Sequence, residues 1–338
     1  MVFITNDRVH HEKGCHPQLS LLKTLFLFQQ QQFGKLTKLS ISEAFLFSIS
    51  SGPGFIYKSA GEDRIVVATH SLNSLQDLAT STGTWINRRF SATGEQALIE
   101  MADYLSVWKA PVLVTVPQSL FPSSYRFTEE IFYEDIEPVT KCLVTHINES
   151  GVECRIHSEN EAIVVDRNKF LEAITRYRNR WVDLIFPSKD ISLNWIYKHS
   201  LSRQIHRVEA GWQSFGTPKQ NMEQFFHDFA KDPNAKSWHD VFSYASSLAD
   251  DFGRAWYAAF LREASNQLES RAIEEAASIY ERLSLQWRLC LNEMRKGRFP
   301  QEVTEQILSL EEEVTMLLKE SMKRKEEEQL VYNISSSV

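Results

Sequence analysis

The segment Pro111-Val-Leu-Val-Thr-Val116 is a β-branched and aliphatic run closed by prolines at positions 111 and 117. A proline lacks the backbone N–H and disfavours a helix around it, so a run this short between two of them reads as a buried strand. A buried strand needs neighbours, and the chain supplies them. Cys142-Leu-Val-Thr-His-Ile147 and Val152-Glu-Cys-Arg-Ile156 flank the turn Asn148-Glu-Ser-Gly151, the pattern of a β-hairpin. Ile65–Ala68 and Ala162–Val165 read as further short strands, the latter followed by a helix over about 169–177 with Asp166 or Asn168 as its cap.

Helical spacing is interleaved with these strands. Pro17 suits a first helical turn, Leu19, Leu22, Lys23 and Phe26 follow at helical intervals, and Gly34 closes the element, so a first helix is expected from Cys15 or His16. A second runs from Ser40 to Phe47, with Ser40 or Ser42 as cap, into the turn-rich Ser50-Ser-Gly-Pro-Gly54; a third spans Gly94 to Val107. From about Asn221 onward the pattern is almost wholly helical: helices are expected near 219–229, 237–250, 255–289 and 302–329. The last carries Val303, Ile307, Leu310, Val314 and Leu317 on one stripe, which would pack on its own domain or on a second copy of the chain as a homodimer. A length of 338 residues accommodates two such domains.

A net charge of −7 argues against a general nucleic-acid binder, while leaving room for a local basic pocket. No apolar run approaches the ~18 residues of a membrane span, and the first residues lack the features of a signal peptide. Cys15, Cys142, Cys154 and Cys290 show no CxxC spacing, so free thiols in a cytoplasmic protein are expected, with neither a metal site nor a cofactor.

Gly14-Cys15-His16 is where chemistry would reside. A cysteine at a helix N-terminus meets unpaired backbone amides and the positive end of the helix dipole, both of which favour the thiolate of a nucleophile. The alternative is a small buried hydrophobe. His10, His11 and His16 are near in sequence, where histidines of this kind are mostly on the surface. Glu43 would cap or salt-bridge a helix, and Arg254 would pair with a buried carboxylate or contact substrate.

Gly14-Cys15-His-Pro-Gln-Leu-Ser-Leu-Leu22-Lys resembles the helix-opening cysteine motif of the butirosin-biosynthesis protein H family. Leu39-Ser-Ile-Ser-Glu43-Ala-Phe-Leu-Phe47, Ser51-Gly52-Pro-Gly54-Phe55-Ile-Tyr57 and Trp108-Lys-Ala-Pro111-Val-Leu-Val-Thr-Val116 continue the likeness in order. Asp251-Phe-Gly253-Arg254-Ala-Trp-Tyr257, Phe260-Leu261 and Ala264 resemble a helix of the companion domain usually fused to it. The resemblance implies an α+β fold: a papain-like, cysteine-protease-type domain over residues 1–180, an all-helical companion over 181–330 and a frayed tail over 331–338. It also implies acyl (aminoacyl or peptidyl) transfer from a carrier-protein thioester to a small-molecule amine, as in antibiotic and other specialised-metabolite biosynthesis, with Cys15 as nucleophile. The alternatives are a catalytically degenerate member that binds a peptide, metabolite or carrier protein, and a cysteine hydrolase or peptidase.

The family places its histidine in a Gly-His segment that opens the strand read here as 142–147. Glu137-Pro138-Val139-Thr140 stands there instead. The open end of the hairpin brings the vicinity of Thr140 alongside Ser158, so His157 becomes the candidate base, with Glu159 beside it. His146 lies toward the turn, roughly 15–20 Å away along the strand.

Overall fold

Val112–Pro117 is a strand with neighbours on both sides, in a structure, a computed structural model, that describes residues 9, 11–14, 16–34, 36–50, 52–59, 65–69, 74–121, 139–187, 191–211 and 216–335. Cys15 and His10 lie outside these residues, as do Glu137 and Pro138. In chain order the elements are α1 (Pro17–Phe33), α2 (Glu43–Ile49), β1 (Ile56–Ser59), β2 (Ile65–Ala68), α3 (Ser74–Thr82), β3 (Trp85–Phe90), α4 (Gly94–Trp108), β4 (Val112–Pro117), β5 (Val139–Ile147), β6 (Gly151–Arg155), β7 (Ile163–Asp166), α5 (Arg167–Arg176) and β8 (Arg180–Ile185). Among the described residues only helices follow: α6 (Leu193–Ala210), α7 (Pro218–Lys231), α8 (Trp238–Ser247), α9 (Arg254–Leu268), α10 (Arg271–Met294) and α11 (Gln301–Ser335). The class is mixed α+β. No helix among the described residues is long and apolar enough to cross a membrane.

The chain forms two compact units, Met1–Leu46 with Thr82–Ile191, and Phe47–Ser81 with Ser192–Val338. The first holds a six-stranded antiparallel sheet ordered β3-β8-β4-β5-β6-β7. Its hairpin turn is closed by Asn148, whose side-chain oxygen accepts the amides of Ser150 and Gly151, both at 2.9 Å. The face carrying Val112, Val114, Cys142, Val144, Val152 and Cys154 packs on Leu98, Met101 and Leu105 of α4 and Phe170 and Ile174 of α5. The alternate residues of β5 face α1: Lys141 donates to Gln18 at 2.7 Å, and Leu143 is fully buried. With both faces covered, β4 is apolar but for Thr115, while β5 and β6 are apolar only on the face toward α4 and α5.

β1, α3 and β3 had no counterpart in the sequence expectation, and three further features depart from it. β8 lies past residue 180, where only helices were expected, and joins the sheet between β3 and β4. Its Arg180 and Asp183 interrupt the apolar pattern; the buried Asp183 carboxylate is held by Arg89 at 3.0 Å. The helix expected over 255–289 is two, because Glu269 adopts a left-handed conformation (φ 50°) and its amide caps the Ser265 carbonyl. The second unit also contains the β1–β2 ladder, so it is not helical throughout.

Aromatic packing organises the second unit. Phe55 stacks on Trp287 at 5.5 Å, and Phe252 meets the same indole edge-on at 5.0 Å. Arg254, 1% exposed, lies over both the Phe55 and Trp287 rings and donates to Glu311 at 2.9 Å, a carboxylate partner as expected but one only partly buried. α11 packs on α10, α6 and α7 through Thr304, Ile307, Val314 and Leu318, a face rotated slightly from the expected stripe.

Gly253 begins α9 at φ 80°, and a Cβ there would lie 2.5 Å from the ring of buried Phe47. Gly34, at φ 61°, has nothing within 4 Å of such an atom. Urea unfolding should show Gly34→Ala costing ~1 kcal/mol, the left-handed penalty alone. Gly253→Ala should cost ~3 kcal/mol because the ring cannot retreat. Equal costs would show that Phe47 does not confine this position.

Candidate functional site

Pro17 opens α1, and His16, in an extended conformation, is its N-cap: the imidazole Nδ1 accepts from the Leu19 amide at 3.4 Å. An Nδ1 that accepts requires the proton on Nε2 in the neutral ring. His16 is fully buried, and its pKa is pushed down to about 3, first by burial and then by the positive charge of His157 and Lys141. It is therefore a neutral acceptor at any ordinary pH.

The chain entering α1 runs beside the end of β6. Gly14 donates its amide to the His157 carbonyl at 2.9 Å, and Lys13 donates its amide to Asn160 Oδ1 at 2.7 Å. His11 Nε2 meets the Ile156 carbonyl at 2.9 Å; a carbonyl can only accept, so Nε2 carries the proton there. Two of the amino-terminal histidines, His11 and His16, are thus buried rather than on the surface, one tethering the strand end and the other capping the helix.

Glu43, in the first turn of α2, accepts the His16 amide at Oε2, 3.0 Å away. The expectation that unpaired amides at the start of α1 would favour a thiolate is therefore narrowed: those of His16 and Leu19 already have acceptors within the protein. Lys141, reaching across from β5 to Gln18, adds a positive charge to the same end of the sheet.

The structure brings Gly14 and His16, the neighbours of Cys15, together with His157. Cys15 itself lies outside the described residues. His146 sits opposite Glu153 at the turn end of β5, next to a register irregularity, and takes no part in this cluster. Glu159 follows His157 in a turn closed by its amide on the Ile156 carbonyl. Sequence reading did not anticipate Lys141, Gln18 or the Glu43–amide contact. The available signal was alternation: a lysine within an otherwise apolar strand must find a polar partner on the covering helix. Cys142, Cys154 and Cys290 are free and buried, and burial raises the Cys154 thiol well above its usual range. Among the described residues no cluster of histidine, cysteine and carboxylate side chains could hold a metal ion.

Because the folded His16 resists protonation while the unfolded one titrates near 6.5, the unfolded chain binds the extra proton between those values. The His16 contribution to stability is complete above pH ~6.5 and falls as the pH drops toward ~3, by about 1.4 kcal/mol per unit. Urea titrations across this range should show that slope in the wild type and a shallower one in His16→Asn, which keeps a cap acceptor but cannot ionise. An unchanged slope would assign the pH dependence elsewhere.

No protein-family model matches the chain, and no curated protein does so either.

Proposed function

We propose that this protein transfers an acyl group from a carrier-borne thioester to an amine, with Cys15 as nucleophile and His157 as base, on a papain-like arrangement of helix and sheet. The observation that carries the reading is the 2.9 Å bond from the Gly14 amide to the His157 carbonyl, which ties the residue before Cys15 to the candidate base. The helix that follows this turn lies over the sheet, and its first cap is a neutral imidazole, so no competing positive histidine is fixed at the helix start. The order of motifs shared with the butirosin-biosynthesis protein H family supplies the reaction class.

The chemistry suits thioesters better than amides. The Cys15 thiolate attacks the thioester carbonyl and expels the carrier thiolate unprotonated; an amine then attacks the acyl-cysteine, the C–S bond breaks to return the Cys15 thiolate, and the amine's proton passes to His157. Amide hydrolysis would require a general acid for the departing amine, a task for which a histidine at 137–140 is missing. A second reading, a binding protein without turnover, is favoured by the amides of His16 and Leu19 being already engaged.

Incubation with small thioesters and amines should show transfer that is abolished in Cys15→Ala and slowed ~10²-fold or more in His157→Ala, the usual range for loss of acid–base assistance. Transfer in Cys15→Ala equal to wild type would end the enzyme reading in favour of binding. Loss in Cys15→Ala with none in His157→Ala would retain the nucleophile and remove the base.

A further inference from the structure

We infer that Glu43 is the positioning residue of this site, its carboxylate holding the backbone after residue 15 and lying close against Gly14 before it; the inference rests on the thiol reading above. On one side, Glu43 Oε2 accepts the His16 amide at 3.0 Å. On the other, a Cβ built on Gly14 would lie 2.3 Å from Glu43 Oε1, 2.3 Å from Ser20 Cβ and 2.7 Å from Ser20 Oγ. Glycine at 14 is thus what lets the chain pass between the Glu43 carboxylate and Ser20 of α1.

The carboxylate is itself held in place. Ser42 Oγ accepts the Phe45 amide at 3.0 Å, and the Ser42 carbonyl accepts that of Leu46, so the start of α2 is fixed before Glu43 reaches across. A charged acceptor on a backbone amide at a helix start is stronger than a neutral one and complements the dipole of α1. With the Gly14 amide on His157, the turn has three tethers: the sheet end, the start of α2 and its own helix. The charged and titratable groups around it are Glu43 from α2, His16, Lys141 from β5 and His157 beyond β6, with His11, Glu12 and Lys13 preceding; Glu12 pairs with Lys23 of α1.

The test uses the full chain and iodoacetamide, with intact mass reporting Cys15, since Cys142, Cys154 and Cys290 are all 0% exposed. If the turn is held for reaction with His157, Glu43→Ala should slow alkylation at least about tenfold, the scale of a small misplacement. Glu43→Gln, which keeps an acceptor for the His16 amide, should stay within about threefold of wild type. Gly14→Ala, which crowds the carboxylate and Ser20 without removing either, should slow the reaction as Glu43→Ala does. Melting curves identify any variant that does not fold, in which case Gly14→Ala and Glu43→Gln decide. A wild-type rate in Glu43→Ala or Gly14→Ala overturns the inference, as does a Glu43→Gln rate as low as that of Glu43→Ala. His157→Ala separates the two readings. If it alkylates like wild type while Glu43→Ala is slow, the base assignment falls and Glu43 stands. The converse removes Glu43 alone.

Discussion

The packing of α1 against β5 is the interaction on which the first unit depends. One face of the sheet is closed by α4 and α5 with an apolar layer, an ordinary hydrophobic solution. The other face carries Lys141, Thr145, Glu153 and Arg155 alongside Leu143, so its polar groups must be satisfied as well as covered. Gln18 of α1 takes the Lys141 ammonium, while Thr145 pairs with Glu153 within the sheet and Arg155 reaches the Asn160 carbonyl. Because an unmet buried polar group costs on the order of 1–3 kcal/mol, the Lys141–Gln18 bond helps set the register of α1 on β5 together with its leucines and phenylalanines.

This polar layer also explains the character of the candidate site. The turn before α1 is fastened by hydrogen bonds to three different elements, and each bond uses a backbone amide. Such fastening holds geometry while consuming donors. A helix start left open would attract an anion; this one already contains a carboxylate and an imidazole. The site is therefore preorganised by the protein's own groups, and the balance of charge near the turn is set by Glu43 on one side and Lys141 with His157 on the other.

In the second unit the corresponding role falls to Arg254, a buried guanidinium between two aromatic faces and Glu311. The pairing of a fully buried cation was foreseeable from an arginine inside an apolar helical pattern. Its partner was not, because Glu311 lies 57 residues further along the chain, among other glutamates that are exposed. The same limit applies to Asp183 with Arg89 and to Tyr57 with Asp228. Long-range pairing of charges leaves no local period to read.

What the sequence determined by itself is whatever has a local cause. Pro17 and Gly34 set the ends of α1, the two prolines isolated β4, Asn148 to Gly151 closed the hairpin, and Asp166 capped α5. What only the tertiary structure decided is whatever depends on the partner. β3 and β8 were not expected as strands, their charged residues breaking the alternation, yet they pair along their whole length. α9 ends at Glu269, which has no glycine or proline to announce it. Phe47–Ser81 belongs with the C-terminal helices rather than with the residues on either side of it. His157 could be placed at the open end of the hairpin from register alone, since strand pairing is geometric. That Gly14, His16 and Glu43 would meet near it required the chain to be folded, because each contact joins segments whose local patterns carry no information about one another.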